Sequence, residues 1–209
     1  MKAKTIPRQS RRRFLQVAGI AAAVLLLEGL PRASRAANAD KLKIGIVGSG
    51  RVGGGIGSVW VKAGHEVMFS SRHIEHDKAL AAKLGANAHA GTPREAAAFG
   101  EMVLISVPYG ALPEVGQDLE ALIKGKIVID TFNQLVWRDG EIATWAREKG
   151  AGRTSAELMH GERLARAFNA IGATSMSTAH QDPGRVGMPI ASDDAEAIAV
   201  ASNLIRDIG

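Results

Sequence analysis

Lys43-Ile44-Gly45-Ile46-Val47-Gly48-Ser49-Gly50-Arg51-Val52-Gly53 opens as a strand and closes as a loop of spaced glycines. After Lys43 the next four residues are apolar and rich in β-branched side chains, which reads as a strand buried on both faces. The glycines then follow the pattern G-x-G-x-x-G, and each has its own task. Gly48 permits a tight turn, Gly50 lets the backbone approach a pyrophosphate, and Gly53 lets the next helix pack close to the strand. That helix is expected over Gly53–Ala63, stopped at Gly64. A strand, such a loop and a helix N-terminus together present free N–H groups to an anion, so the segment reads as a dinucleotide cradle.

The residues beyond it repeat the alternation. Strands are expected at Glu66–Ser70, Ala88–Ala90, Met102–Val107, Lys126–Asp130, Arg166–Asn169 and Val186–Ala191. Helices are expected at Asp77–Leu84, Pro93–Phe99, Leu112–Ile123 and Asp193–Asp207, with a loop and helical stretch running to Leu164. Asp193-Asp194 marks the start of the last helix, where acids favour the positive end. Continuous apolar strands alternating with helices imply an α/β, Rossmann-type doubly wound fold with a mainly parallel sheet and helices on both faces.

The end of the second strand selects the nucleotide. NAD-binding domains usually place a carboxylate there to hold the ribose 2′-hydroxyl. Here the residues are Ser70-Ser71-Arg72. Two hydroxyls and a guanidinium suit a 2′-phosphate, which a carboxylate would repel, so NADP(H) is the expected cofactor.

The first 39 residues read separately. Ser10-Arg11-Arg12-Arg13-Phe14-Leu15-Gln16 precedes the apolar run Val17 to Leu27, and Ala37-Asn38-Ala39 offers a small-residue exit. A charged region, an apolar region and a cleavage site form an export signal, and the paired arginines resemble a twin-arginine (Tat) signal. We therefore expect a signal over 1–39, an NADP-binding domain over 40–209, and a periplasmic or extracytoplasmic location reached through the Tat machinery. An uncleaved signal acting as a membrane anchor is the alternative. Residues 1–39 hold eight of the 26 basic residues and one of the 21 acidic ones, leaving residues 40–209 with 18 and 20. That net of −2 gives no bulk charge for nucleic acid. The chain has no cysteine, which excludes disulfides and thiolate chemistry. No spacing of histidines and acids suggests a metal site.

Gly48–Gly53, Ala63-Gly64-His65-Glu66-Val67, Ser71-Arg72, Ser106-Val107-Pro108, Asp130-Thr131-Phe132-Asn133 and Ala167-Phe168-Asn169 fall in a characteristic order. Over roughly residues 42–209 this order resembles the deazaflavin-dependent NADP reductases, within the group sharing the pyrroline-5-carboxylate reductase N-terminal domain. The resemblance implies that Ser49, Gly50, Arg51, Val52, Ser71 and Arg72 bind NADP. It implies that Val107, Pro108 and Tyr109 pass the ribose and nicotinamide, and that Asn133 and Asn169 lie near the nicotinamide. For each asparagine, loop hydrogen bonding to backbone is the competing reading.

The sequence departs from that family at three points. His73 and His76 stand where a lysine often follows Ser-Arg, with Lys78 further on. Gln134 replaces the usual proline, and relatives continue past the closing helix whereas this sequence ends at Gly209. The implied activity is hydride transfer between nicotinamide and a small-molecule acceptor: a deazaflavin, a flavin, or a ferric complex reached through flavin. Catalytic side chains are not assigned, because such transfer needs chiefly the positioning of two reactants. The alternatives are a non-catalytic NADP-binding or interaction module and a C-terminally truncated reductase. A homodimer is a further possible partner state.

Overall fold

In the computed structural model, six strands lie in the order β3-β2-β1-β4-β5-β6, every neighbouring pair parallel. The structure describes residues 41–160, 163–181, 183–184 and 186–209. The expected export signal lies outside these residues. The strands are β1 (Lys43–Val47), β2 (Glu66–Ser70), β3 (Ala88–Ala90), β4 (Met102–Ile105), β5 (Ile127–Asp130) and β6 (Arg163–Arg166). The helices are α1 (Arg51–Lys62), α2 (Ile74–Leu84), α3 (Pro93–Phe99), α4 (Leu112–Ile123), α5 (Val136–Asp139), α6 (Glu141–Lys149), α7 (Ala151–Leu158) and α8 (Ala195–Arg206). This is the expected doubly wound Rossmann sheet, with the strand order reversing between β1 and β4.

The strands sort their side chains by turns onto two faces. Ile44 and Ile46 of β1, Leu104 of β4 and Ile129 of β5 join one apolar cluster, with Ile56 and Trp60 of α1 and Leu204 of α8. Val47, Val103, Ile105 and Val128 join the other, with Leu112, Leu119 and Ile123 of α4. A period of two divided between two buried layers explains why these strands read as unbroken apolar runs. Gly45 is the exception within β1. A Cβ there would stand 2.0 Å from the Ala96 carbonyl oxygen, so its absence lets α3 lie directly on the strand.

Two expected strands are corrected. The sixth strand is Arg163–Arg166, not Arg166–Asn169, because Phe168 adopts φ 63° and ends the extended run. The true strand carries an arginine at each end and borders the sheet. Arg163 reaches Asp194 and Glu196, and Arg166 reaches Asp130. Val186–Ala191 forms no seventh strand among the described residues. Its one ladder contact is the antiparallel bridge between Ala191 and Arg166. Gly187 and Pro189 weaken that segment as a strand, since proline offers no N–H to a ladder.

The last helix begins as expected. Asp194 caps α8 by accepting from the N–H groups of Glu196 and Ala197. Arg163 holds the Asp194 carboxyl down at about 2. At the opposite end of α8, buried His65 accepts from the Leu42 N–H at Nδ1 and lies 2.9 Å from Asp207 through Nε2. Burial lowers the His65 pKa, so this histidine is a structural clamp between β1, β2 and α8.

Candidate functional site

The glycine loop forms where β1 ends and the strand order reverses. Gly48 has φ 98°, and a Cβ on it would stand 2.3 Å from the Ser106 carbonyl oxygen. Only glycine fits that position, and the result is close contact between the glycine loop and the loop after β4, whose Val107 side chain borders the same space. The N–H groups of Gly48 and Ser49 both donate to the Ser70 carbonyl, at 2.9 Å each, which ties the loop to the end of β2. Gly50 is exposed, and nothing lies within 4 Å of where its Cβ would be. It is also the N-cap of α1, with no side-chain cap and no acid in the first turn. An open approach to an uncapped helix N-terminus is what a pyrophosphate requires, so the residues present fit the dinucleotide.

Arg51 and Arg72 are both exposed and make no ion pair among the described residues. Val52 is half-buried and Gly53 buried, which leaves the backbone of the first turn as what they could offer a ligand.

Three side chains expected at the nucleotide lie buried with protein partners. Ser70 is fully buried, and its hydroxyl donates to the Ile46 carbonyl at 2.6 Å. Ser49 is buried as well and gives its hydroxyl proton to Asp77. Tyr109 has its ring wholly inside the second core, edge-on to Phe132 at 5.8 Å, and its hydroxyl reaches toward the Ala151 carbonyl at 3.4 Å. A tyrosine directly after Pro108 reads as part of an exposed loop, whereas the short 3-10 turn at Tyr109–Ala111 rolls the ring inward. Ser71 is half-buried, with its hydroxyl donated to Asp77 at 2.8 Å.

The two asparagines do come together. Asn133 follows β5, Asn169 follows β6, and the Asn133 amide donates to the Asn169 carbonyl at 2.9 Å. A backbone carbonyl only accepts, so this bond uses the Asn133 amide N–H, and Oδ1 has no hydrogen-bond donor among the described residues. Val107 is half-buried and Pro108 exposed on the adjacent loop. Thr131, two residues before Asn133, bonds the Ser106 hydroxyl at 3.1 Å and links these loops.

Beneath the asparagines lies a buried polar cluster that sequence reading missed. Asp130, fully buried, pairs with Arg166 at 2.9 Å. Asp130 also accepts from the Phe132 N–H at 3.0 Å, while Arg166 donates to the Phe132 carbonyl at 2.8 Å. The ion pair therefore holds both polar groups of the residue before Asn133. Burial pushes the Asp130 carboxyl up to about 6, even against Arg166. Phe168, in its strained left-handed conformation, packs edge-on against Trp60 at 5.7 Å and sets the turn that carries Asn169. No local pattern announces Arg166: it lies 36 residues from Asp130. Nor does any local pattern announce Asp77, at which the sequence only places the start of a helix.

Residues 43–134 match the family described as NADP oxidoreductase, coenzyme F420-dependent. Among solved structures, a candidate F420-dependent NADP reductase from Arthrobacter sp. FB24 superposes with a TM-score of 0.66 at 18% identity, covering 80% of this chain and 81% of that one. Hypothetical protein SMa0349 from Sinorhizobium meliloti gives 0.65 at 20% identity, with 81% and 82% covered. A pyrroline-5-carboxylate reductase from Coxiella burnetii gives 0.61 at 14% identity, with 81% of this chain on 57% of that one. These structural likenesses are likenesses of fold.

Proposed function

We propose that this chain, whose residues 43–134 match the F420-dependent NADP oxidoreductase family, is an NADP(H)-dependent reductase that passes a hydride between nicotinamide and a deazaflavin- or flavin-like acceptor. The observation that carries the nucleotide half is the exposed Arg72 at the end of β2, without an ion-pair partner among the described residues and beside an open, uncapped helix N-terminus. A free guanidinium there suits a 2′-phosphate. When bound, the nicotinamide supplies the hydride chemistry. The chain's own part is to seat the pyrophosphate on the first turn of α1, to hold the 2′-phosphate at Arg72, and to offer the Asn133–Asn169 edge beside the ring. Asn133 Oδ1 is a ready acceptor for a carboxamide N–H.

The test is oxidation of NADPH by the purified protein against a panel of coenzyme F420, FMN, FAD and ferric citrate with FMN. Turnover with one of these is the expected outcome. Tight nucleotide binding without turnover on any of them would favour a non-catalytic NADP-binding module. The N-terminal sequence supports export through the twin-arginine route. That route moves folded proteins, which would let the nucleotide cross with its protein. Fractionation of producing cells should find the mature chain outside the inner membrane with NADP retained; a cytoplasmic chain would remove the export reading.

A further inference from the structure

Asp77 stands on the first turn of α2, fully buried, and receives two hydroxyls. Ser49 of the glycine loop donates to one carboxylate oxygen, and Ser71 at the end of β2 donates to the other at 2.8 Å. His76 Nδ1 lies 3.5 Å from the same carboxylate. The Ser71 oxygen also accepts from the His73 N–H at 3.0 Å. A serine hydroxyl has a single proton to give. Ser49 and Ser71 have both given theirs to Asp77.

We propose that Asp77 is a specificity-determining positioning residue. It withholds the Ser49 and Ser71 protons from a 2′-phosphate and leaves the discrimination of NADPH from NADH to Arg72. The inference rests on the NADP reading above and refines it. A phosphate dianion only accepts, so a serine whose proton points at Asp77 offers it nothing but a lone pair facing a negative charge. The same lone pair is useful to a ribose hydroxyl, which both nucleotides carry. Half-buried Ser71 thus favours the adenosine ribose in general, while Arg72 is the group that senses the extra phosphate. Asp77 also ties Ser49 of the glycine loop, 28 residues away, to Ser71 at the end of β2, so the cradle is held in shape before a ligand arrives.

The experiment measures dissociation constants of NADPH and NADH by titration calorimetry for the wild-type full chain and three variants. Ser71→Ala should weaken both nucleotides alike and leave their affinity ratio within about twofold, since no phosphate contact is lost. Arg72→Ala should bring the ratio near unity. Asp77→Asn frees a serine proton and removes a charge, and should raise the preference for NADPH on the order of fivefold. Thermal melting of each variant checks that it is folded, and Ser71→Ala decides alone if Asp77→Asn is not. A tenfold loss of NADPH affinity in Ser71→Ala with NADH unchanged would overturn the proposal, because Ser71 would then be a phosphate donor. An unaltered ratio in folded Asp77→Asn would overturn it too, leaving Asp77 a structural role only. Failure of the wild-type protein to bind either nucleotide is distinguishable from both, and overturns the nucleotide reading itself.

Discussion

The glycine-loop half and the asparagine half of the site are built by different means. Around β1, α1 and β2 the shape comes from backbone. Gly48 turns where no side chain fits, Gly50 leaves a gap, and the loop is pinned by main-chain bonds to Ser70. Around β5 and β6 the shape comes from side chains reaching across long stretches of sequence, Asp130 to the Arg166 guanidinium and Asn133 to the Asn169 backbone carbonyl. The first kind of site is set by its glycines and main-chain bonds, with Asp77 adding a side-chain tie from Ser49 to Ser71. The second depends on a buried ion pair, which is costly to break from one side because the remaining charge stays desolvated.

The contrast predicts a graded set of losses. Arg166→Ala should have the largest, about 3–5 kcal/mol at pH 7.5, because it strands Asp130. Urea denaturation measures it, and a loss under about 1 kcal/mol would mean the pair is not the anchor of that half. The same variant carries a pH signature. Asp130 has its folded pKa raised to about 6, above its unfolded value near 3.8. A group raised in this way contributes stability that is full below the unfolded value and lost as pH rises through the folded one. The penalty of Arg166→Ala should therefore shrink between pH 7.5 and pH 5, as the stranded carboxyl takes up a proton. A penalty independent of pH would contradict the assignment.

Gly48→Ala comes next. The positive φ and the clash with the Ser106 carbonyl together should destabilise by about 2–4 kcal/mol and weaken any nucleotide alike. Gly50→Ala, at the open position, is the sharper companion: near-native melting with nucleotide affinity reduced. Equal melting losses at the two glycines would erase the distinction between turn and cradle. Arg72→Ala should leave stability within about 0.5 kcal/mol. It should reduce NADPH affinity on the order of 10- to 100-fold, with NADH little changed. Comparable losses for the two nucleotides would remove Arg72 from the 2′-phosphate. The smallest structural effect belongs to Asn133→Ala, which removes one exposed hydrogen bond worth about 0.5–1 kcal/mol. If that asparagine faces the nicotinamide, it should lower kcat more than it raises KM for NADPH, and unchanged kcat would assign it to loop structure alone.

By itself the sequence determined the parallel sheet from β1 to β5 and the glycine loop at its centre. These are written in short-range terms: apolar runs at strand length, glycines at fixed spacing and helix stops, all of which act within about a dozen residues. Five of the expected elements match to the residue, among them β2, α3 and α4. The edge of the sheet was not legible in this way. β6 carries an arginine at each end around Leu164 and Ala165, and Ala167-Phe168-Asn169 looks extended until packing against Trp60 holds Phe168 in a left-handed turn. Tertiary structure alone decided which polar groups are free to meet a ligand. Ser49, Ser70, Ser71 and Tyr109 carry the right chemistry in the right order, yet burial and distant partners use up their hydroxyls. A hydroxyl's availability depends on what lies across the fold, and Asp77 and Arg166 reach their partners only after the chain has folded.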